Sequence, residues 1–172
     1  MTRLDLTISG PAATARLGHF IAAGLTAGDV VALNGPLGAG KSVLARAVIR
    51  HLCPHEHDIP SPTFTLVQTY EPATGPALMH FDLYRLESPE EALELGIEDA
   101  FVESICLVEW AQRLGVYRHR GALDVTIEPD ARASNMRAVS LIGGARWTPV
   151  LEGIRATMMD QADGILSQRP SS

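Results

Sequence analysis

The stretch DVVALNGPLGAGKSVLARAVIRHL, residues 29–52, decides the fold of this chain. Its apolar run VVAL (30–33) is typical of a buried strand. From residue 42 to residue 52 the apolar residues recur at helical spacing, which predicts an amphipathic helix. The loop between them, GPLGAGKS (35–42), matches the phosphate-loop pattern G-x-x-x-x-G-K-S/T. Because a strand before this loop and a helix after it are the context that the pattern requires, we predict a nucleoside triphosphate site.

Each part of the loop has a chemical task. Glycines let the backbone curl so that successive N–H groups point at phosphate oxygens, and the start of the following helix adds partial positive charge. Lys41 is placed to reach the β- and γ-phosphates, and the Ser42 hydroxyl is placed to ligate Mg²⁺. A glycine-rich turn without a ligand is the alternative. The predicted nucleotide contacts are Gly35, Pro36, Leu37, Gly38, Ala39, Gly40, Lys41 and Ser42.

Lys41 is the only lysine in the chain, and the other basic residues among the 14 are all arginine. A general excess of arginine is background from base composition. Lysine at this one position is informative, because phosphate binding here needs a compact point charge rather than a planar fork. P-loop GTPases read guanine with an N/T-K-x-D motif, which requires a further lysine. We therefore expect ATP rather than GTP as the nucleotide.

A metal ion beside a phosphate loop needs a carboxylate at the end of a neighbouring strand. Asp82 in LMHFDLYRL (78–86) and Glu109, directly after the apolar run ICLV (105–108), both fit this requirement. We predict that Ser42, Asp82 and Glu109 hold the metal. Asp82, Glu109 and Lys41 are the predicted catalytic residues, with Glu109 holding a metal-bound water or activating the attacking one. The alternatives are an exposed strand position for Asp82 and a helix-start carboxylate for Glu109.

Outside this stretch, strand-like and helix-like patterns alternate. Strands are predicted over 4–8, 63–70, 78–86, 105–108, 122–127 and 138–142, with 63–70 and 78–86 forming an antiparallel hairpin. Helices are predicted over 11–25, from Ser88 onward and over 146–159. This order predicts an α/β, P-loop NTPase-like layered sheet with mixed parallel and antiparallel strands flanked by helices. We expect one domain over 1–163 and a flexible tail over 164–172.

Composition argues against several classes of function. The chain has 172 residues and a net charge of −6, which disfavours coating of nucleic acid by bulk electrostatics. Cys53 and Cys106 form no CxxC pair, and the histidines near Cys53 lie in a proline-containing loop that favours a turn over a zinc site. These histidines are His51, His55 and His57. An apolar signal segment and a run of 18 apolar residues are both missing, so we expect a cytoplasmic protein without a membrane span.

Three further segments carry a family resemblance: SPTFTLVQTYE (61–71), HFDLYRLESPEEALELGIEDAF (80–101) and ICLVEWAQRL (105–114). Together with GPLGAGKS, in this order and spacing, they strongly resemble the TsaE family, formerly called YjeE. The resemblance covers roughly residues 3–143. It implies a small P-loop ATPase, weak alone, that uses ATP and Mg²⁺ and acts on a complex of TsaB and TsaD. Those partners transfer a threonylcarbamoyl group to the tRNA adenosine beside the anticodon, so tRNA would be met through the complex.

The same resemblance implies roles for individual residues. Lys41 and Ser42 would contact phosphate and Mg²⁺, and Asp82 and Glu109 would be the functional acidic residues. Thr63 and Thr65, in a switch-like strand entry, and Trp110, near the nucleotide, are predicted as further nucleotide contacts. Two departures stand out, since the family commonly has an acidic residue at Pro36 and threonine at Ser42. A Gly-Arg pair often found before the last strand is also missing, which leaves Arg137 as a weak site candidate.

Charge is distributed unevenly after residue 85. Acidic residues dominate 86–112, and we hypothesise that 90–103 forms an acidic docking surface, with a solvated helix face as the alternative. A basic cluster follows, which would contact tRNA or an acidic partner unless it is an ordinary surface loop; it consists of Arg113, Arg118, His119 and Arg120. Two other functions stay open: a small-molecule kinase with an arginine-bearing lid, and a nucleotide-gated binding module that assembles without catalysis.

Overall fold

The computed structural model describes residues 1–160, and a seven-stranded mixed sheet forms its centre. In chain order the elements are β1 (Thr2–Ser9), α1 (Gly10–Ala23), β2 (Val30–Asn34), α2 (Lys41–Leu52), β3 (Val67–Tyr70), β4 (Leu78–Asp82), α3 (Glu91–Glu94), α4 (Ile97–Glu103), β5 (Ile105–Glu109), β6 (Leu123–Pro129), β7 (Met136–Gly143) and α5 (Thr148–Asp160). Short 3-10 segments cover Ala111–Tyr117 and Ala145–Trp147. The predicted α/β sheet with mixed strand directions and flanking helices is confirmed.

The sheet has a parallel centre and antiparallel margins. Its strand order is β1-β7-β6-β2-β5-β4-β3. The strands β4, β5, β2 and β6 run parallel, whereas β1–β7, β6–β7 and β3–β4 pair antiparallel. The central run Val30 to Leu33 is at most 2% exposed, as expected for a strand covered on both faces. Parallel strands end at the same edge, so the residues that follow β2, β4 and β5 meet there.

Helices cover both faces of the sheet. On one face, α1, α2 and α5 pack through an apolar cluster that includes Leu44 and Ile154. On the other face, the cluster contains Phe81 and Leu114 and involves α3, α4 and the segment Ala111–Tyr117. Alternation along β4 therefore directs Leu78, His80 and Asp82 toward the face that α2 covers, and Phe81 toward the opposite face. This alternation decides which polar side chains reach the phosphate loop.

The predicted hairpin exists, but both of its strands are shorter than predicted. Strand β3 begins at Val67 rather than at residue 63, because residues 62–66 form a turn closed by a 2.7 Å bond from the Leu66 N–H to the Pro62 carbonyl. Leu66 has a φ of +67°, which ends the turn and redirects the chain into the strand. Strand β4 stops at Asp82 rather than continuing to residue 86, because the Asp82 carboxylate accepts a bond from the Tyr84 N–H and bends the chain.

The helix predicted from Ser88 begins later and is broken. Helix α3 starts at Glu91, whose carboxylate accepts bonds from the N–H groups of Glu87 and Ser88. Gly96, with a φ of +73°, separates α3 from α4, since a left-handed residue cannot continue a helix. The closing helix begins as the 3-10 turn Ala145–Trp147 and continues as α5. The predicted tail, 164–172, lies outside the described residues.

Candidate nucleotide site

The phosphate loop spans the gap between β2 and α2. Gly35 opens it with a φ of +134°, and a Cβ at this position would stand 2.1 Å from the Ile127 carbonyl oxygen on β6. Gly40 closes it with a φ of +112° directly before α2. Both conformations strongly favour glycine over residues that carry a side chain. The loop therefore curls at the carboxyl edge of the parallel strands, with the N-terminus of α2 at its base.

Lys41 is buried within the loop, with only 5% of its surface exposed. Its Nζ donates hydrogen bonds to the carbonyl oxygens of Gly35 at 2.7 Å and Pro36 at 2.8 Å. The ammonium also lies 4.4 Å from the centroid of the Trp110 ring, a cation–π distance. Burial lowers the pKa of Lys41, and the nearby negative charges of Glu109 and Asp82 oppose that shift. The only lysine thus lies inside the loop, with two backbone carbonyls and an aromatic ring as its partners.

Glu109 ends β5 and is 2% exposed. The Ser42 Oγ lies 3.1 Å from each of its carboxylate oxygens, so the Ser42 hydroxyl donates to this carboxylate. Ser42 is the second residue of α2, and β5 lies beside β2 in the sheet, which explains the contact between residues far apart in sequence. A hydroxyl and a carboxylate thus face each other at the start of the loop helix.

Asp82 lies beside Glu109 because the two residues are register partners in the parallel pair β4–β5. Its Oδ2 accepts a 3.0 Å bond from the Thr63 hydroxyl, and its Oδ1 accepts a 3.1 Å bond from the Tyr84 N–H. Thr63 is in turn 2.9 Å from the Ser61 hydroxyl. The turn that precedes β3 is therefore connected to one of the two strand-end carboxylates.

An open cleft of about 230 Å³ lies over these groups. Its lining residues are Leu37, Gly38, Gly40, Lys41, Ser42, Val43, Thr63, Asp82, Tyr84, Glu109 and Trp110. The Tyr84 and Trp110 rings form one wall, with their centroids 5.0 Å apart. Four predicted contacts, Gly35, Pro36, Ala39 and Thr65, do not line the cleft, and Thr65 is exposed on the turn.

Two residues that were not among the predicted catalytic, nucleotide or metal residues form hydrogen bonds to residues of the site. His80 Nε2 lies 2.9 Å from Glu109 Oε1 in a fully buried contact. The sequence signal that could have found His80 is its position two residues before Asp82 in the same strand, because residues at that spacing lie on one face of the sheet. Arg137, only a weak candidate from sequence, donates through Nε to the Ala39 carbonyl at 3.0 Å and so holds the loop to β7. Nothing local in the sequence predicts that contact between residues 98 positions apart.

The donor set at the cleft fits a magnesium ion. Ser42, Asp82 and Glu109 supply one hydroxyl and two carboxylates, and oxygen ligands of this kind are those that Mg²⁺ takes. Across residues 1–160, the cleft included, no group of three or more His, Cys, Asp or Glu side chains is arranged to hold a metal. In particular, His51 contacts the His19 ring, and His55 lies near Glu56.

The acidic surface and the basic cluster differ in how many of their side chains bond to other residues of the chain. Exposed carboxylates on and around α3 and α4 are Glu87, Glu90, Glu94, Glu98, Asp99 and Glu103. In the basic cluster, Arg118 pairs with Asp124 and Arg113 donates to the Leu86 carbonyl. The acidic side chains thus project from two short helices and the turn before them, whereas part of the basic cluster already bonds to other residues of the chain.

Among the described helices, none combines the length and apolar character needed to cross a membrane.

The layered sheet, the phosphate loop after its central strand and the carboxylates at the neighbouring strand ends define an α/β protein of the P-loop NTPase-like class. Within this class the chain belongs to the TsaE family of tRNA threonylcarbamoyladenosine biosynthesis proteins, as predicted from the sequence. The family model, described as threonylcarbamoyl adenosine biosynthesis protein TsaE, matches residues 8–139.

Individual relatives agree with this assignment. A tRNA threonylcarbamoyladenosine biosynthesis protein TsaE from Rickettsia felis is 35% identical over 152 residues, covering 88% of this chain and 87% of that protein. The TsaE protein of Haemophilus influenzae is 48% identical over 85 residues, which cover 49% of this chain and 52% of that protein. The crystal structure of YdiB from Bacillus subtilis is 25% identical, with a TM-score of 0.74 over 91% of this chain and 97% of that chain.

Proposed function

We propose that this protein binds ATP with Mg²⁺ and hydrolyses it, as an accessory to threonylcarbamoyladenosine formation on tRNA. The observation that carries the proposal is the convergence of Lys41, Ser42, Asp82 and Glu109 on one cleft at the phosphate loop. An ammonium beside loop amides and a helix N-terminus suits a polyphosphate. Two carboxylates and a hydroxyl suit the metal that accompanies it.

Each residue has a distinct part in the proposed reaction. Lys41 binds the β- and γ-phosphates and stabilises the negative charge that develops during transfer. Ser42, Asp82 and Glu109 would hold Mg²⁺, which supplies charge neutralisation at the phosphates when it is bound. Glu109 orients the attacking water and accepts its proton. A bond forms between the water oxygen and the γ-phosphorus as the bond from that phosphorus to the bridging oxygen breaks, and ADP leaves with the electron pair.

Internal contacts among the residues of the cleft support the expectation that this protein hydrolyses ATP only weakly by itself. Lys41 is bonded to two loop carbonyls, Ser42 to Glu109, and Thr63 to Asp82. Nucleotide and metal binding must exchange each of these internal partners for phosphate or metal. Glu109 must also release Ser42 before it can orient a water molecule. A protein partner that favours the exchanged arrangement would accelerate hydrolysis.

The proposed partners are homologues of TsaB and TsaD, which carry out the transfer, so this chain is not itself the transferase. The exposed carboxylates on α3 and α4 support a charge-guided contact with such a complex. Contact with tRNA would then come through the complex, and the reaction would take place in the cytoplasm. Membership of the TsaE family supports the assignment of this chain to threonylcarbamoyladenosine biosynthesis.

Calorimetry with ATP and Mg²⁺, paired with a phosphate-release assay, tests the proposal. We expect Lys41→Ala to abolish ATP binding, whereas Glu109→Ala keeps binding and loses turnover. Glu152→Ala, which removes an exposed carboxylate on α5 outside the cleft, is the matched control and should behave as the unsubstituted protein. A pull-down with TsaB and TsaD, with and without ATP, tests the partners. Normal tRNA modification in cells that carry only the Lys41→Ala protein would refute the ATPase proposal.

A further inference from the structure

His80 is a buried polar side chain for which the proposed chemistry has no direct use. It lies in β4 two residues before Asp82 and is 0% exposed. Its Nε2 is 2.9 Å from Glu109 Oε1, and the side chains of both residues are almost fully enclosed. Its Nδ1 has no hydrogen-bond partner among the described residues. A buried polar ring with a single partner is expected to be retained for the contact that it makes.

The surroundings decide which imidazole nitrogen carries the proton. Glu109 accepts from the Ser42 hydroxyl and faces His80 Nε2 at 2.9 Å. Carboxylate oxygens act as acceptors, so the matching donor at this contact is the Nε2–H of His80. Among residues 1–160 neither a donor nor an acceptor bonds to Nδ1, so a proton on that atom would have no partner, whereas a proton on Nε2 has Glu109.

We propose that His80 is a positioning residue for Glu109, an inference that rests on the proposed ATPase function. By donating to Oε1, the imidazole holds one carboxylate oxygen against β4. When Ser42 turns toward a metal, Oε2 is left free to orient the attacking water. His80 itself touches neither nucleotide nor water, because it lies beneath the carboxylate and outside the set of cleft-lining residues. It acts on the reaction only through the orientation of Glu109.

Two amide substitutions distinguish the effect of the bond to Glu109 from the effect of burying any polar side chain at position 80. The amide nitrogen of glutamine reaches about as far from the backbone as His Nε2, whereas that of asparagine reaches only about as far as Nδ1. His80→Gln therefore keeps a donor to Glu109, and His80→Asn, also an uncharged amide, loses it. His80→Leu removes all polarity while keeping an apolar side chain in the buried position.

The rate of a single turnover and the affinity for ATP with Mg²⁺ are measured for all three variants. We expect His80→Asn and His80→Leu to hydrolyse ATP about 10- to 100-fold more slowly, the usual effect of losing such a supporting bond. Their ATP affinity should stay within about threefold of the unsubstituted value, since the loss concerns the reaction step. His80→Gln should recover most of the rate. Full activity of His80→Leu, or equal losses in the asparagine and glutamine variants, would overturn the assignment.

Long-range ¹H–¹⁵N NMR of the unsubstituted protein tests the bond without any turnover. We expect His80 to carry its proton on Nε2, and its signals to shift in Glu109→Gln. A proton on Nδ1 would overturn the proposal, because Nε2 could not then donate to Glu109. If the unsubstituted protein hydrolyses no ATP even with TsaB and TsaD, the proposed function fails, and the NMR result still decides whether His80 positions Glu109.

Discussion

Replacing Gly35 by alanine should destabilise the protein far more than the same change at Gly38. Both glycines lie in the phosphate loop with positive φ, +134° at Gly35 and +77° at Gly38. A Cβ at Gly35 would stand 2.1 Å from the Ile127 carbonyl oxygen, whereas a Cβ at Gly38 would have no atom within 4 Å. The pair therefore compares one substitution with and without a backbone collision.

The expected magnitude follows from these distances. Ordinary contact begins at 3.4 Å, so the loop and β6 must separate by 3.4 − 2.1 = 1.3 Å at a point where both are backbone. Overpacking of this kind costs about 1–3 kcal/mol, and a strained φ adds about 1–3 kcal/mol. At Gly38 the left-handed region costs about 1 kcal/mol, and reduced freedom of the unfolded chain offsets about half of that. We expect Gly35→Ala to be less stable than Gly38→Ala by about 3 kcal/mol.

Urea unfolding followed by circular dichroism measures this difference at equilibrium. The two variants should share one m-value, and their midpoints should separate in the order predicted. In a thermal scan the same difference corresponds to roughly 6–12 °C for a chain of this size. If the two variants differ by less than about 1 kcal/mol, the loop is not held against β6 as the structure indicates.

Four further outcomes are expected. A lysine-directed reagent has only Lys41 and the N-terminus to modify, and ATP with Mg²⁺ should slow modification of Lys41, as read by mass spectrometry; equal labelling with and without ATP would contradict a phosphate contact. Burial raises the pKa of Cys53 to about 11 and that of Cys106 to about 12, so Ellman's reagent at pH 8 should react with these thiols only after urea is added. The unfolded thiols ionise near their ordinary pKa of 9.0 while the folded ones stay protonated, so the free energy of unfolding should fall as the pH rises above 9, and less steeply in Cys106→Ala. Lysine at Glu94, Glu98 and Asp99 should weaken binding to TsaB and TsaD most at low salt, and unchanged affinity would exclude α3 and α4 as the docking surface.

Local patterns predicted much of the fold because they reflect local physics. The run VVAL, the glycine-rich loop and the amphipathic helix each have a distinct periodicity or backbone requirement, and all three lie where the pattern placed them. The errors fell at strand ends, where a local hydrogen bond from a side chain or the backbone interrupts a pattern. Asp82 stops β4 by accepting the Tyr84 N–H, and the turn ending at Leu66 delays β3. Such endings depend on hydrogen bonds that residue type alone does not specify.

The sequence by itself determined the family, the class of fold and the types of side chain at the cleft. Tertiary structure decided which of those side chains meet. Asp82 lies beside Glu109 only through the register of β4 and β5, and His80 reaches Glu109 only because alternation directs it toward α2. Arg137 holds Ala39 across 98 positions of the chain. The physical reason is the same in each case, since sheet register and packing bring together residues that no local periodicity connects.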